Sequence, residues 1–435
     1  MLFRSLCDNN NLTDLSTKDW NAIYEKLFGG FEDLNATADQ DEFESDELDS
    51  VPSEYKTKSG YPRYESYNDG IKINNMDRGY IYVNKTNFLH NIKVLKQLSD
   101  KELCLVVKAN GYGHGMNWTV KTAMEAGIKW FAVGTISEAK EVRAESDELR
   151  ILLLSEPSLG EIDNIEKYNI DLTVYNNFFI DGLEKSGKVF NTHIKIDTGM
   201  HRVGCEPKDF KNFYEKITNS KTINLAGICT HFPLSDENME ATEESIKLFK
   251  QTIKDVDTNN LLLHVDNSGS SFYNFDPMFN MSRVGLAVYG YNITPAEVVQ
   301  DLKPTMAIKT RISNIHYRKK GEAVSYGKVL RLERDTIVGI SPVGYGDGYP
   351  WNTFPDGKVI VNNAYCNLIG RVTMDQILYD ITDIDANIND EVVLLGNSEN
   401  NELKITVSDI AKWNKTIEWE ILTNMNKRLE SVEIE

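Results

Sequence analysis

The stretch VVKANGYGHG, from Val106 to Gly115, places one lysine at the end of an apolar run and follows it with glycines, a tyrosine and a histidine. An amine in an apolar environment is shifted toward its neutral form, which can attack a carbonyl carbon or remove a proton. Glycines near the start of a helix leave backbone N–H groups free to bind a phosphate. Lys108 and Tyr112 are therefore candidates for a site that combines amine chemistry with phosphate binding.

Other polar residues that could serve such chemistry lie at the ends of later apolar runs. They are Lys195, Asp197, His231, Asn267, Ser268, Arg283 and Gly285. Taken singly, Lys195 is read from its neighbours IKID as an ordinary ion-paired lysine, and His231 is read as a hydrogen-bonded core residue. Their value as a site depends on whether the fold brings them together.

The apolar runs are the strands that must position these residues. Eight of them alternate with helical patterns, and continuous apolar runs are typical of strands buried on both faces. The runs are CLVVKA (104–109), WFAVGT (130–135), ILLLSE (151–156), DLTVYN (171–176), THIKIDTG (192–199), AGICTHF (226–232), LLLHVDNS (261–268) and SRVGLAVYG (282–290). The pattern predicts a (β/α)8 barrel of the TIM type, with an open doubly wound sheet as the alternative. A barrel would collect the polar residues at the carboxyl ends of its strands, where barrel enzymes build their active sites.

The sequence changes in character after residue 300, where strand-like runs follow one another without long helices. We predict a barrel domain at 76–303 and an all-β C-terminal domain at 304–435. The early run GYIYVN (79–84) lies outside the barrel count and is a candidate strand of the second domain. Residues 1–75 form an acidic N-terminal extension ahead of both domains.

Charge and composition exclude several classes of function. The formal net charge of −19 argues against a nucleic-acid or anionic-membrane partner, because both require a basic surface. Within the extension, Trp20 to Phe28 have helical spacing and Asp39 to Glu54 are half acidic, so we predict a short helix and a disordered linker. No segment approaches the roughly 20 apolar residues that span a bilayer, and the five cysteines are scattered, so a cytoplasmic protein with reduced thiols is expected.

A reactive lysine, phosphate donors and several strand-end cations together fit one cofactor, pyridoxal 5′-phosphate (PLP). At this point VVKANGYGHG resembles the PLP-lysine motif of the alanine racemases, which are fold-type III PLP enzymes. Further segments resemble motifs of that family in the same order: IKIDTGMHRVG (194–204), THFPLSDE (230–237), HVDNSGSSF (264–272), MSRVGLAVYG (281–290), VSYG (324–327), PVGYGDGYP (342–350) and GRVTMDQ (370–376). The resemblance covers roughly residues 75 to 430.

The resemblance implies a homodimeric isomerase that interconverts L- and D-alanine with two bases. Inverting a stereocentre requires a proton to leave one face of Cα and another to reach the opposite face. By resemblance the bases are Lys108 and the Tyr326 that the partner subunit supplies. Cofactor contacts implied in the same way are Tyr112, Ser268 and the Gly285 N–H for the phosphate, Arg283 for the pyridine nitrogen, and Arg202, His231, Asn267 and Tyr289. Lys195 would carry a carbamate that fixes Arg202, the backbone of Met374 would bind the substrate carboxylate together with Arg202, and Tyr345 would line the access route.

Departures from the family pattern keep other functions open. Lys427 stands where alanine-specific members usually have a phosphate-contacting tyrosine, and Thr373 replaces a frequent cysteine. A serine, an alanine/serine or a broad-specificity racemase is therefore the alternative within the family. Two alternatives come from other classes of protein. A fold-type III decarboxylase would need a cysteine-aspartate motif late in the chain, and the residues around Cys366 do not form one. A non-catalytic PLP-binding barrel would have no counterpart of Tyr326.

Overall fold

The computed structural model describes residues 78–98, 100–273, 275–291, 301–425 and 428–435. The helix and linker predicted in the N-terminal extension, and the departure at Lys427, lie outside the described residues. The described chain begins with strand β1 (Gly79–Asn84) and helix α1 (Lys85–Leu98). The barrel follows them.

Eight parallel strands form the barrel. They are β2 (Glu102–Val106), β3 (Trp130–Val133), β4 (Arg150–Leu153), β5 (Ile170–Val174), β6 (Phe190–Lys195), β7 (Ile223–Cys229), β8 (Leu262–His264) and β9 (Met281–Val284). Their order in the sheet is their order in the chain, and β9 returns to pair with β2. Between β8 and β9 the barrel is nearly closed by the hydrogen bonds Asn280 N to Leu263 O and Arg283 N to Asp266 O, both 3.1 Å long. The predicted TIM-type barrel is confirmed.

Helices cover the outside of the barrel, which explains why its strands are continuously apolar. They are α2 (Met116–Glu125), α3 (Ile136–Glu145), α4 (Ile162–Lys167), α5 (Asn177–Ser186), α6 (Phe210–Thr218) and α7 (Met239–Ile253). All residues of β3 and β5 are buried, as expected for strands between a helical layer and a filled interior. Side chains at the N-caps begin several of these helices: Thr135 forms a capping box with Glu138, and Asn238 accepts the N–H of Ala241.

The C-terminal part is built mainly of antiparallel sheets. Its strands are β10 (Met306–Arg311), β11 (Asn314–Arg318), β12 (Ala323–Val324), β13 (Leu330–Arg331), β14 (Thr336–Ser341), β15 (Lys358–Val361), β16 (Ala364–Asn367), β17 (Ile377–Asp380), β18 (Glu391–Asn397), β19 (Lys404–Ile405) and β20 (Glu430–Ile434). The largest sheet has the order β16-β15-β18-β10-β1-β20, and β19 pairs with β18 at its side. Strand β1 lies inside the range 76–303 predicted for the barrel, yet it pairs with β10 and β20, so this sheet takes one strand from ahead of the barrel.

Two short helices modify the all-β prediction for this part of the chain. They are α8 (Val407–Asn414), which begins with a capping box at Thr406, and α9 (Glu418–Asn424). Helix α9 and the residue before it reach the barrel, where Ile417, Trp419 and Glu420 line the cavity at its mouth. The C-terminal part of the chain thus forms one wall of the site that the barrel strands build.

Candidate active site

A cavity of about 970 Å³ lies at the carboxyl ends of the barrel strands. Its walls include nine residues that the sequence singled out: Lys108, Tyr112, Lys195, Arg202, His231, Asn267, Ser268, Arg283 and Gly285. These residues come from five different strands or the loops after them, so only the closed barrel could bring them together. The volume is of the size that holds a small-molecule ligand.

The turn Lys108–Tyr112 has a left-handed backbone that is rare for residues with side chains. Ala109, Asn110 and Tyr112 have φ values of 53°, 56° and 52°. Each such residue costs roughly 1–2 kcal/mol relative to a right-handed conformation. The turn is held by contacts with its surroundings: Glu138 Oε1 accepts the N–H of Ala109 at 2.7 Å, and Asn110 Oδ1 accepts the N–H of Met116 at 2.8 Å. Strain of this kind concentrates at functional sites, where the fold fixes one reactive group.

Lys108 lies directly at this turn and faces the cavity. Burial, followed by the charge of Arg202, lowers the pKa of its amine. A lowered pKa increases the neutral fraction of the amine at neutral pH, and only the neutral form is a nucleophile or a base. The chemical expectation drawn from the apolar run before Lys108 therefore agrees with its surroundings.

Hydrogen-bond donors that suit a phosphate converge beside Tyr112. The N–H of Gly285 donates to Ser268 Oγ at 2.9 Å, and the N–H of Ala287 donates to the same oxygen at 3.3 Å. A Cβ at Gly285 would stand 2.6 Å from Tyr112 Oη, so only glycine allows the hydroxyl to approach this closely. Burial raises the pKa of Tyr112 to about 12, which keeps the hydroxyl protonated.

Tyr289 lies behind this group. Its ring is fully buried and packs against that of Tyr112, with ring centroids 5.1 Å apart, but it does not line the cavity. On this geometry Tyr289 supports Tyr112 from behind. The cofactor contact expected for Tyr289 stays a prediction.

Lys195 has surroundings unlike those of an ordinary ion-paired lysine. In the part of the chain that the structure describes, its amine makes no hydrogen bond or ion pair. Burial comes first among the causes that lower its pKa to about 8, and Arg283 and Arg202 add to the effect. The ion-paired interpretation of Lys195 is therefore wrong for the described residues.

The cavity is positively charged although the protein is strongly acidic. Four cationic side chains line it, Lys108, Lys195, Arg202 and Arg283, against two carboxylates, Asp236 and Glu420. Burial, followed by the charges of the same four cations, lowers the pKa of His231 to about 3, so its imidazole is neutral. A cationic cavity is suited to a ligand that carries phosphate and carboxylate groups.

Arg283 is held from below by hydrogen bonds. Its Nη1 donates to His264 Nδ1 at 2.8 Å and to His264 O at 2.6 Å, while Nη2 donates to Thr230 O at 2.7 Å and to Val265 O at 3.4 Å. Among the described residues, the Nε–H has no partner. The guanidinium thus keeps one donor free beside the cavity. Sequence reasoning missed His264, although it stands in the same apolar run as Asn267 and Ser268.

Three predicted site residues of the C-terminal part do not line this cavity. Tyr326, Met374 and Tyr345 are exposed to solvent, with 71%, 53% and 40% of their surface accessible. Tyr345 lines a second cavity of about 370 Å³ that shares Glu420 with the first. Tyr326 stands on the tight connection between β12 and β13, where the preceding Ser325 has a φ of 60° and donates its Oγ hydrogen to Arg371 O at 2.7 Å.

The loops that carry Tyr345 and Met374 are joined by a buried ion cluster. Asp347 is fully buried and accepts hydrogen bonds of 2.8–3.1 Å from both Arg78 and Arg428. The N–H of Tyr345 donates to Thr373 O at 3.0 Å, which ties the two loops together directly. The backbone of both loops is therefore fixed while the side chains of Tyr345 and Met374 point outward.

Known proteins with similar sequences identify the family. Residues 83–293 match the family described as "Alanine racemase, N-terminal domain", and residues 305–433 match "Alanine racemase, C-terminal domain". A protein named alanine racemase from Treponema denticola is 35% identical over 365 residues, which is 80% of this chain and 96% of that protein. This chain belongs to the alanine racemase family.

Solved structures agree with that assignment. The crystal structure of alanine racemase from E. faecalis is 27% identical, with a TM-score of 0.77, and the match covers 82% of this chain and 98% of that one. Histidine racemase from Leuconostoc mesenteroides has the same fold, with a TM-score of 0.75 at 21% identity, over 86% of this chain and 100% of that one. The chain is thus an enzyme of a family of isomerases. In the described part of the chain, no helix is both long and apolar enough to cross a bilayer.

Proposed function

We propose that this protein is a PLP-dependent alanine racemase that works as a homodimer. The observation that carries the proposal is Lys108: a lysine of lowered pKa that lines the cation-rich cavity at the barrel mouth, in a chain of the alanine racemase family. Such a lysine would hold the cofactor and act as one base. The cytoplasmic location expected from the sequence stays a prediction.

The residues present fit PLP on three separate points. Tyr112, Ser268 and the N–H of Gly285 would hold the phosphate, since their donors converge at the place where Gly285 leaves room for the tyrosine hydroxyl. The free Nε–H of Arg283 would meet the ring nitrogen. Lys108 would hold the cofactor through Nζ. When bound, PLP withdraws electrons from the amino acid and so weakens the bond between Cα and its proton.

The protein's own residues would move that proton. Lys108 Nζ, kept partly neutral by burial, would accept the proton from one face of Cα. Arg202 at the cavity wall would hold the substrate carboxylate, and a carbamate on Lys195 would hold Arg202 in place. The lowered pKa of Lys195, about 8, supports this because CO₂ reacts with the neutral amine.

The second base would be Tyr326 of the partner subunit. Within one chain Tyr326 does not line the cavity of Lys108, and its side chain is mostly exposed. It lies in a part of the chain that also exposes Val329, Tyr345, Trp351 and Met374, an unusual concentration of large apolar side chains for a surface. A head-to-tail dimer would cover them and bring each Tyr326 to the cavity of the other subunit.

The preferred amino acid substrate is the most detailed claim of the proposal. The relatives reported above carry the name alanine racemase, whereas a histidine racemase shares the same fold, so the fold alone does not determine the side chain accepted. Serine is the second candidate because of Lys427. A decarboxylase has less support, since Cys366, the only cysteine in the C-terminal part, is buried on β16, opposite Val359 of β15, and does not line the cavity.

Chiral amino-acid analysis tests the proposal. The purified protein is loaded with PLP and incubated separately with L-alanine and with L-serine, with Lys108→Ala as the inactive control. We expect D-alanine to form much faster than D-serine. Comparable or faster D-serine would replace alanine by serine as the substrate. No D-product from either amino acid, with PLP still bound, would overturn the racemase proposal.

A further inference from the structure

A row of buried polar side chains extends through the barrel interior from Arg283, at the cavity, toward the opposite end of the barrel. His264 Nε2 lies 2.8 Å from His193 Nδ1, and His193 Nε2 lies 3.6 Å from Asp171 Oδ2. Asp171 Oδ2 lies 2.5 Å from Arg150 Nη2. His264, His193 and Asp171 are all at most 1% exposed, whereas Arg150 reaches solvent at the opposite end of the barrel. None of these four residues takes part in the chemistry described so far.

The barrel is shaped around this row. His193 on β6 reaches His264 on β8 across β7, where Gly227 stands between them. A Cβ at Gly227 would lie 2.3 Å from His193 Nδ1, so any larger residue would displace the ring. The pairing of β6 with β7 also shifts its register between Thr192 and His193. Polar groups buried at such a cost to regular packing usually serve a specific purpose.

The contact with Arg283 indicates which tautomer each histidine adopts. A guanidinium is a donor only, so His264 Nδ1 must accept from Arg283, and the His264 proton is on Nε2. That N–H donates to His193 Nδ1, which places the His193 proton on Nε2, facing Asp171. Both imidazoles are therefore neutral, and the His193 Nε2–H faces the carboxylate at 3.6 Å, which is longer than a hydrogen bond, so Asp171 acts on His193 through space.

We propose that Asp171 is the remote counter-ion of Arg283 and acts on it through the two neutral histidines, which makes Asp171, His193 and His264 positioning residues for the cofactor ring. The ring contact rests on the proposed function. Burial raises the pKa of Asp171, but the facing His193 and the Arg150 guanidinium 2.5 Å away lower it overall, and the Arg150 contact alone favours the charged carboxylate. Through the histidines its charge makes His264 Nδ1 a better acceptor for Arg283.

As a consequence, the free Nε–H of Arg283 would be a weaker hydrogen-bond donor. A weaker donor at the ring nitrogen leaves the cofactor a weaker electron acceptor. This favours simple proton exchange over half-transamination, in which alanine leaves as pyruvate and the bound aldehyde becomes an amine. Asp171 would thus limit side reactions from the far side of the barrel.

The isosteric variant Asp171→Asn tests this proposal, because it removes the charge and keeps an oxygen that His193 can reach. Asn191→Ala is the matched control, since Asn191 Nδ2 also contacts Asp171, at 3.2 Å, but lies outside the row. PLP-loaded protein labelled with ¹⁵N-histidine reports which ring nitrogens carry protons. We expect Nε2–H tautomers for His264 and His193 in the unaltered protein and weaker N–H hydrogen-bond signals for both in Asp171→Asn.

The reaction supplies the second measurement. In Asp171→Asn the ratio of pyruvate formed to D-alanine formed should rise roughly threefold to tenfold, the effect of one altered hydrogen bond. KM for alanine should stay within about twofold because no substrate contact changes. The absorption band of the bound cofactor should shift in Asp171→Asn and not in Asn191→Ala.

Several outcomes would overturn the proposal. They are a protonated His193, an Nδ1–H tautomer of His264, or signals and product ratios that Asp171→Asn leaves unchanged. If Asp171→Asn does not fold, His193→Phe keeps the ring volume and must alter the His264 signal in the same way. The tautomers are observed whether or not the protein racemises alanine, so loss of the proposed function and loss of this inference are separate results.

Discussion

The barrel mouth and the exposed face of the C-terminal part use polar residues in opposite ways. At the mouth, Lys108 and Lys195 line the cavity and have lowered pKa values, among groups that the fold has oriented. On the C-terminal face, Tyr326 and Met374 are more than half exposed and do not reach the cavity. The candidate residues at the barrel mouth line one cavity within a single chain. The candidate residues on the C-terminal face line no part of that cavity in the same chain.

This difference indicates how the proposed activity is divided. Cofactor binding would depend mainly on the barrel, because all the candidate contacts except Tyr289 line the cavity at its mouth. Inversion of a stereocentre needs a second proton donor on the opposite face, and the tyrosine proposed for that role does not reach the cavity within a single chain. Each prediction below acts on one side of this division.

Loss of the barrel lysine should have the largest effect. Lys108→Ala removes both the covalent attachment and one base, so racemisation should fall by at least about 10³-fold. Chiral analysis measures the product, and borohydride reduction followed by mass spectrometry measures attached cofactor. Lys129→Ala, an exposed lysine ahead of β3, should keep full activity. Appreciable racemisation by Lys108→Ala would place the first base elsewhere.

Exchange of subunits should reveal whether the site is shared. Tyr326→Phe should lower racemisation about 10²- to 10⁴-fold. Mixing it with Lys108→Ala protein should restore activity, because each heterodimer has one cavity with both an intact lysine and an intact tyrosine. Random exchange makes half of the dimers mixed, with one good site in two, so about a quarter of full activity is expected. If mixing restores nothing although subunits exchange, Tyr326 does not act across a dimer.

A single methyl group should weaken cofactor binding within the barrel. In Gly285→Ala the new Cβ would stand 2.6 Å from Tyr112 Oη, so the hydroxyl must move away from the phosphate position. We expect PLP to bind about tenfold or more weakly, as for the loss of one charge-assisted hydrogen bond. Equilibrium dialysis measures this affinity. Gly160→Ala, where the nearest atom would lie at 3.6 Å, is the control that should bind PLP normally.

The smallest expected effect is a pH dependence at Lys195. With a pKa of about 8, roughly a tenth of its amine is neutral at pH 7 and roughly half at pH 8. Carbamate formation consumes the neutral amine and releases a proton, so raising the pH should increase it. The ¹³C signal of a carbamate formed from labelled bicarbonate should grow between pH 7 and pH 9 at constant dissolved CO₂. The signal should be missing in Lys195→Ala, and its survival there would assign it to another amine.

Predictability differed between the two regions. The eight apolar runs were sufficient to predict the barrel, since burial on both faces requires continuous apolar strands. In the second region the strand character was predicted, but helix α9 was not. That helix lines the barrel cavity through Trp419 and Glu420, a contact that local pattern does not encode.

Residue types and their spacing determined the class of chemistry: a lysine after an apolar strand, glycines beside a tyrosine, and cations at strand ends. Tertiary structure alone decided which groups are charged and which are neutral. Lys195 has no partner among the described residues and a lowered pKa, although its neighbours suggested an ion pair. Tertiary structure also joined His264, His193 and Asp171, which are 22 to 93 residues apart along the chain. Burial and electrostatic interactions act across the barrel interior, between residues that are far apart in sequence. They therefore cannot be predicted from the spacing of residues along the chain.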